Sequence, residues 1–262
     1  MKELFSFLDN IPKNLREGPW SKVAVIYFTI VLVYLTYVFG DATKSFHTTI
    51  NDEVLRTEEE STLFSFMKLL GSLWCFFILS SILYGTGFWP LVSYTITSWN
   101  FLSLRLLFSF LTKYVVNKAA KRSLAICARL FKFPALVGCV ITVSVWWCIL
   151  VPVIHYNLEK KYRNGFMSFN LSFILLNIHL FNLPLAVFEF VYSQSSFEFF
   201  DLWIGLVVAF MYVMFYLLVL DPKGIHLYIV LTPRTRYCFI VFSAILGLYY
   251  IIFNVMNSLI IS

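Results

Sequence analysis

Two stretches of this chain leave little freedom in what it can fold into. Leu202 to Leu220 reads LWIGLVVAFMYVMFYLLVL, and Tyr237 to Ile261 reads YCFIVFSAILGLYYIIFNVMNSLII; neither holds an Asp, Glu, Lys or Arg. Nineteen helical residues extend about 28 Å, the thickness of a bilayer's hydrocarbon core. Backbone amides in lipid must be satisfied within their own segment, so runs of this kind are helices. The alternating apolar and polar residues of a membrane barrel are absent.

Five further apolar runs precede these two: Val23 to Phe39, Leu63 to Tyr84, Leu91 to Leu111, Ala135 to Ile154, and Phe166 to about Tyr192. Of the 262 residues 60% are hydrophobic, 19% aromatic and only 13% charged, where soluble domains carry about a quarter charged. The expectation is an all-α, polytopic transmembrane bundle of six core helices plus one peripheral N-terminal helix. Its organisation divides at 1–60 and 61–262. The first part holds a basic segment, an extra span and an acidic linker, Asp41 to Glu60, that reads as solvated.

The net charge of +6 is no nucleic-acid footprint, because the basic residues fall mainly between apolar runs. Lys and Arg divide ten to eight between the two sides of a seven-span chain, a margin too small to orient it. The densest basic connection, Lys113 to Lys132, argues for a cytosolic side there. Part of it, NKAAKRSLAICARLFKF, is basic on one face and apolar on the other, which suits a helix lying flat in the interface. The five Cys (75, 127, 139, 148 and 238) lack C-x-x-C spacing and read as small buried hydrophobes. The four His (47, 155, 179 and 226) are spread over separate segments, so neither a metal nor another cofactor is expected.

Polar residues inside spans are costly and face the bundle interior. Two clusters stand out. SYTITSWN places Thr97 and Asn100 three apart on one helical face, and NIHLFNLPLAVFE does the same for His179 and Asn182. The second cluster also holds Asn177, Glu189 and Pro184, which removes a helical N–H and frees a carbonyl. A hydroxyl beside a neutral imidazole is a minimal nucleophile and base. By spacing alone, interhelical hydrogen bonding explains both clusters better. Lys68 and Arg105 lie inside apolar runs. Snorkelling to the interface is the expectation for both, with Arg105 the deeper and the better candidate to hold a carboxylate, that of Glu189 or of a substrate.

Four pieces in order, YGTGFWPLVSYTITSWN, FPALVGCVITVSVWW, HLFNLPLAVFE and KGIHLYIVL, resemble the androgen-induced-gene, or FAR-17a-like, family of polytopic membrane proteins. The resemblance runs from about Tyr84 to Ile261. Some members hydrolyse fatty-acid esters of hydroxy fatty acids. The resemblance implies that Thr97 is a nucleophile and His179 its base, because HLFNLPLAVFE keeps the family's interval of five residues from His to Pro and five more to Glu. Asn100, Asn177 or Asn182 would then orient the imidazole or bind the oxyanion, and Glu189 would tune it. The chain departs from the family in the apolar LLNI before His179 and in Asn100, where the family has an acid.

Two functions follow as expectations. One is an integral-membrane lipid ester hydrolase acting on a membrane lipid, without nucleic acid. The other is a non-catalytic lipid-binding or scaffold protein. The endoplasmic reticulum is the expected membrane, because no cleavable leader or transit pattern is recognised. A transporter would want inverted repeats or mid-span acids, and neither is read in the sequence.

Overall fold

The computed structural model describes residues 18–193, 195–223, 225, 228 and 232–261. Most of KGIHLYIVL, including His226, and the basic residues 2, 13 and 16 lie outside them. Among the described residues there is no strand, and six helical stretches are long and apolar enough to cross a membrane. The fold is therefore an all-α bundle of a multi-pass membrane protein.

Helix α1 (Lys22–Glu59) starts where the Ser21 hydroxyl accepts from Ala24 N at 3.2 Å. Helix α2 (Thr62–Thr86) is capped the same way by Ser61 and stops at Gly87, whose φ of +76° suits a residue without a side chain. Helix α3 (Tyr94–Tyr114) is capped by Ser93. Helix α4 (Lys118–Val145) continues through a wide π-turn, Trp146–Leu150, into α5 (Val151–Asn157). After α6 (Lys160–Asn170) and the short α7 (Phe173–Leu176), a second π-turn, Asn177–Phe181, leads into α8 (Asn182–Tyr192). Helix α9 (Phe199–Phe215) runs into a third π-turn, Tyr216–Leu220, and α10 (Cys238–Ile261) closes the chain.

These elements alternate in direction. One end of the bundle gathers the end of α1, the start of α2, the end of α3, the start of α4, the end of α8 and the start of α9. Helices α3 and α4 pack along most of their length. Their close approach is set at Gly138, where an added Cβ would lie 2.4 Å from Ser98 Oγ. The main core joins Leu102, Phe133, Leu136, Ala186, Phe190 and Tyr249 from α3, α4, α8 and α10.

Three expectations are corrected. The acidic stretch from Asp41 is no solvated linker: it is the second half of the 38-residue α1, with Thr49, Ile50, Glu53 and Thr57 buried. These residues recur every three or four positions, so one stripe of an otherwise polar helix faces inward. The basic stretch around Arg129 does not lie flat in the interface. It forms the first half of α4, because Arg129 and Lys132, each 2% exposed, find partners inside the bundle. Lys68 and Arg105 do not snorkel: each is 1% exposed.

The expected disturbance at Pro184 takes the form of the second π-turn. Pro184 cannot donate to the carbonyl four residues back, and the Asn182 N–H reaches instead to Asn177 O.

The sequon Asn170-Leu171-Ser172 ends α6 with its amide buried. Asn170 Nδ2 donates to Phe166 O at 2.8 Å, and its Oδ1 accepts from Trp146 Nε1 at 3.0 Å. Asn170 is expected to stay unglycosylated in cells, and a gel-mobility shift removed by an endoglycosidase is the observation that would contradict this.

Candidate functional site

The polar residues that converge most densely are charged, and they sit at the end where α1, α2, α3, α4, α8 and α9 meet. Glu60 is in contact with Lys68, whose ammonium also donates to Ser109 Oγ at 2.7 Å and lies 3.9 Å from Glu189. Glu189 Oε1 takes Arg105 Nη2 at 2.8 Å and Nε at 2.9 Å. Arg105 Nη1 is in contact with Glu53, and the second oxygen of Glu53 lies 3.4 Å from Arg129. Arg129 then grips Asp201 with two nitrogens and donates to Ser195 Oγ at 3.0 Å.

Carboxylates and cations thus alternate along one chain, and each neutralises its neighbours where water does not. Lys132 sits beside this chain, donating to Ser195 O at 2.5 Å, with the Phe190 and Phe197 rings 5.6 and 5.3 Å from its nitrogen. At the rim, the half-buried Lys113 donates to the Glu60 carbonyl. Burial pushes the Glu60 carboxyl above its ordinary range, and the Lys68 ammonium draws it back down.

Arg105 therefore holds a carboxylate, as its depth suggests, but the carboxylates belong to Glu189 and Glu53. Glu189 is the partner of an arginine, not a neighbour of the imidazole. Sequence reasoning passed over Glu53, Glu60, Arg129, Lys132 and Asp201. A usable signal was present in Arg129 and Lys132, three apart in the apolar context ICARLFKFPALV.

Next to Lys68 and Glu189 opens a groove of about 530 Å³ between α2 and α8, with α3 as its floor. Phe64, Met67 and Trp74 form one wall, Phe181, Pro184, Leu185 and Phe188 the other, and Trp99 and Leu106 the base. Along α2 the wall from Phe64 to Trp74 rises about 15 Å. Met67, Trp74 and Phe181 are 43%, 42% and 51% exposed, so the mouth is open at the surface of the bundle. At the end away from Lys68, Asn177 Oδ1 accepts from Trp74 Nε1 at 2.9 Å, tying the two walls together.

Asn177 and Glu189 belong to this lining, whereas Thr97, His179, Asn100 and Asn182 lie outside it. The Thr97 hydroxyl donates to Ser93 O of its own helix at 3.0 Å. His179 is buried in the second π-turn, with Nδ1 3.3 Å from Leu175 O and its ring stacked on Trp146 at 3.8 Å between centroids. No hydrogen bond joins Thr97 to His179 among the described residues. Their segments are neighbours, because Ile178 packs with Ile96 and Trp99 of α3. Asn100 is half-buried on α3. Asn182 is fully buried, and neither its oxygen nor its nitrogen finds a partner; the Thr142 hydroxyl on α4 is likewise buried and unpaired.

No protein-family model, curated protein or solved structure matches this chain.

Proposed function

We propose that this chain is a lipid-binding membrane protein that takes a hydrocarbon chain of a bilayer lipid into the groove between α2 and α8. The observation that carries the reading is the groove itself. It is of small-ligand size, walled by apolar side chains, open at the bundle surface, and closed at one end by Lys68 and Glu189. A polypeptide partner would have to bring its own apolar helix to fill it, whereas lipid chains already surround its mouth. The proposed membrane is the endoplasmic reticulum.

The test is photo-crosslinking in nanodiscs with a lipid carrying a diazirine in its acyl chain. Labelling is expected to concentrate on Met67, Phe181 and Phe188, and to fall at least fivefold in Leu185→Trp, which fills the groove, and in Met67→Trp, which narrows its mouth. Labelling spread evenly over all lipid-facing helices would sink the reading.

A second reading, hydrolysis of a lipid ester with Thr97 as nucleophile and His179 as base, is favoured by one observation. His179 stands on a π-turn, a widened turn that recurs at functional sites. On this reading Thr97 attacks the ester carbonyl, His179 takes its proton and returns it to the leaving alcohol, and water then cleaves the acyl-enzyme. Thr97→Ala and His179→Ala would each abolish hydrolysis, and the double variant would be little worse than either. Undiminished hydrolysis in either single variant would end this reading and leave the groove reading standing.

A further inference from the structure

Lipid tails are as apolar as the groove walls, so moving a chain from bilayer to groove gains little hydrophobic free energy. Selection among lipids then has two possible sources: polar groups free to bond a headgroup, and the shape left for the hydrocarbon. The lining offers little of the first. Its polar side chains each have a partner inside the protein already. Lys68 holds Glu60 and Ser109, and Glu189 holds Arg105. Trp99 Nε1 donates to Cys75 O at 2.9 Å. Trp74 Nε1 donates to Asn177 Oδ1, and Asn177 Nδ2 donates to Phe173 O, both at 2.9 Å. The charges among the lining residues are one of each sign, Lys68 and Glu189. Neither an anionic nor a cationic headgroup gains a net attraction from them.

The shape, by contrast, is bounded at both ends. At the charged end Phe64 of α2 meets Phe188 of α8, with 5.7 Å between ring centroids, and Tyr192 packs on the two at 5.6 and 4.4 Å. At the far end the hydrogen bond from Trp74 to Asn177 crosses from wall to wall. The Phe77 and Phe173 rings back the Trp74 ring at 5.8 and 5.7 Å. Trp74 is thus held from α2 and from the segment leading into α8, and is not a side chain free to swing aside. Lipid enters through the open side, and a chain lying along the groove runs about 15 Å before it meets the Trp74 ring.

Building on the groove reading, we infer that this site selects its lipid by the length of the hydrocarbon chain and not by the headgroup, with the Trp74–Asn177 bridge as the stop. Its ligands are lipids of any headgroup charge whose inserted chain ends at or before Trp74. A longer chain has to turn back out of the mouth or break the bridge.

The experiment uses the full chain in nanodiscs and competitors of the photoreactive lipid. One series varies chain length in fatty alcohols. The other holds length constant and compares fatty alcohol, free fatty acid and primary amine. In the native chain, competition is expected to rise with length to a maximum and to fall at least fivefold for the longest chains, while the three headgroups agree within about twofold. Trp74→Ala removes the stop and should move the maximum to longer chains. Asn177→Leu leaves the ring but unties it, and should soften the fall beyond the maximum; it keeps the test decisive if Trp74→Ala does not fold. Competition that climbs with length without a maximum, a tenfold preference among the headgroups, or a length profile unchanged in both variants overturns the length assignment alone. Failure of the native chain to retain any lipid overturns the groove reading, and this inference with it.

Discussion

Replacing Glu53 with alanine is expected to destabilise the bundle by about 3–5 kcal/mol, the usual cost of removing one partner from a buried ion pair. Glu53 stands between two guanidiniums, in contact with Arg105 and 3.4 Å from Arg129. Without it two like charges face each other in a medium where each keeps only one carboxylate, Glu189 or Asp201. Denaturant unfolding in detergent micelles would measure the loss. Asp41→Ala is the matched control: its pairing with Lys44 on the same helix is exposed, and exposed pairs contribute about 0–1 kcal/mol. A Glu53→Ala variant as stable as the control would mean that the buried charges do not hold α1 in place. The same geometry predicts that a chain beginning after Glu60 fails to form a stable six-helix core. It would lack both Glu53 and Glu60 and leave Arg105, Arg129 and Lys68 short of carboxylates.

The second large effect is steric. Gly138→Ala puts a methyl group 2.4 Å from Ser98 Oγ and 2.8 Å from Ser98 Cβ, contacts that real side chains do not sustain. The α3–α4 interface must open along the seam that also carries Phe101 and Phe131. Overpacking of this kind costs about 1–3 kcal/mol. Because the obstacle is the Ser98 side chain, Ser98→Gly is expected to restore most of the loss. The coupling in a double-mutant cycle should fall in the range of about 0.5–3 kcal/mol found for touching residues. Simple additivity would mean that the interface had already moved apart by another route.

How much of this was legible in the sequence differs from element to element. The chargeless runs behind α9 and α10 dictate membrane helices, because nothing else satisfies their backbone in lipid. Pro184 announced a disturbed turn, although not that it would be a π-turn. The second half of α1 was misjudged because composition averages over faces: acids dominate it, yet Ile50, Glu53 and Thr57 repeat at helical spacing and point inward. The pairing of Arg105 with Glu189 was one of the two carboxylate partners that the sequence left open. Arg129 with Asp201, 72 residues apart, was not, since only the packed bundle brings α4 to the start of α9. The groove had no linear signature at all, being walled by residues from α2, α3, α8 and the turn before α8.

The ion lattice also bears on how the molecule is made. In order of synthesis its charges run Glu53, Glu60, Lys68, Arg105, Arg129, Lys132, Glu189, Asp201. Two negative charges come first, then four positive, then two negative. A nascent chain that has delivered α1 to α4 to the bilayer therefore carries two uncompensated cations, which hydrocarbon will not accept at low cost. In the finished bundle α8 supplies Glu189 to Arg105 and α9 supplies Asp201 to Arg129. Assembly is thus tied to the late arrival of two carboxylates. A chain that stops short of Asp201 leaves Arg129 without the carboxylate that it grips with two nitrogens.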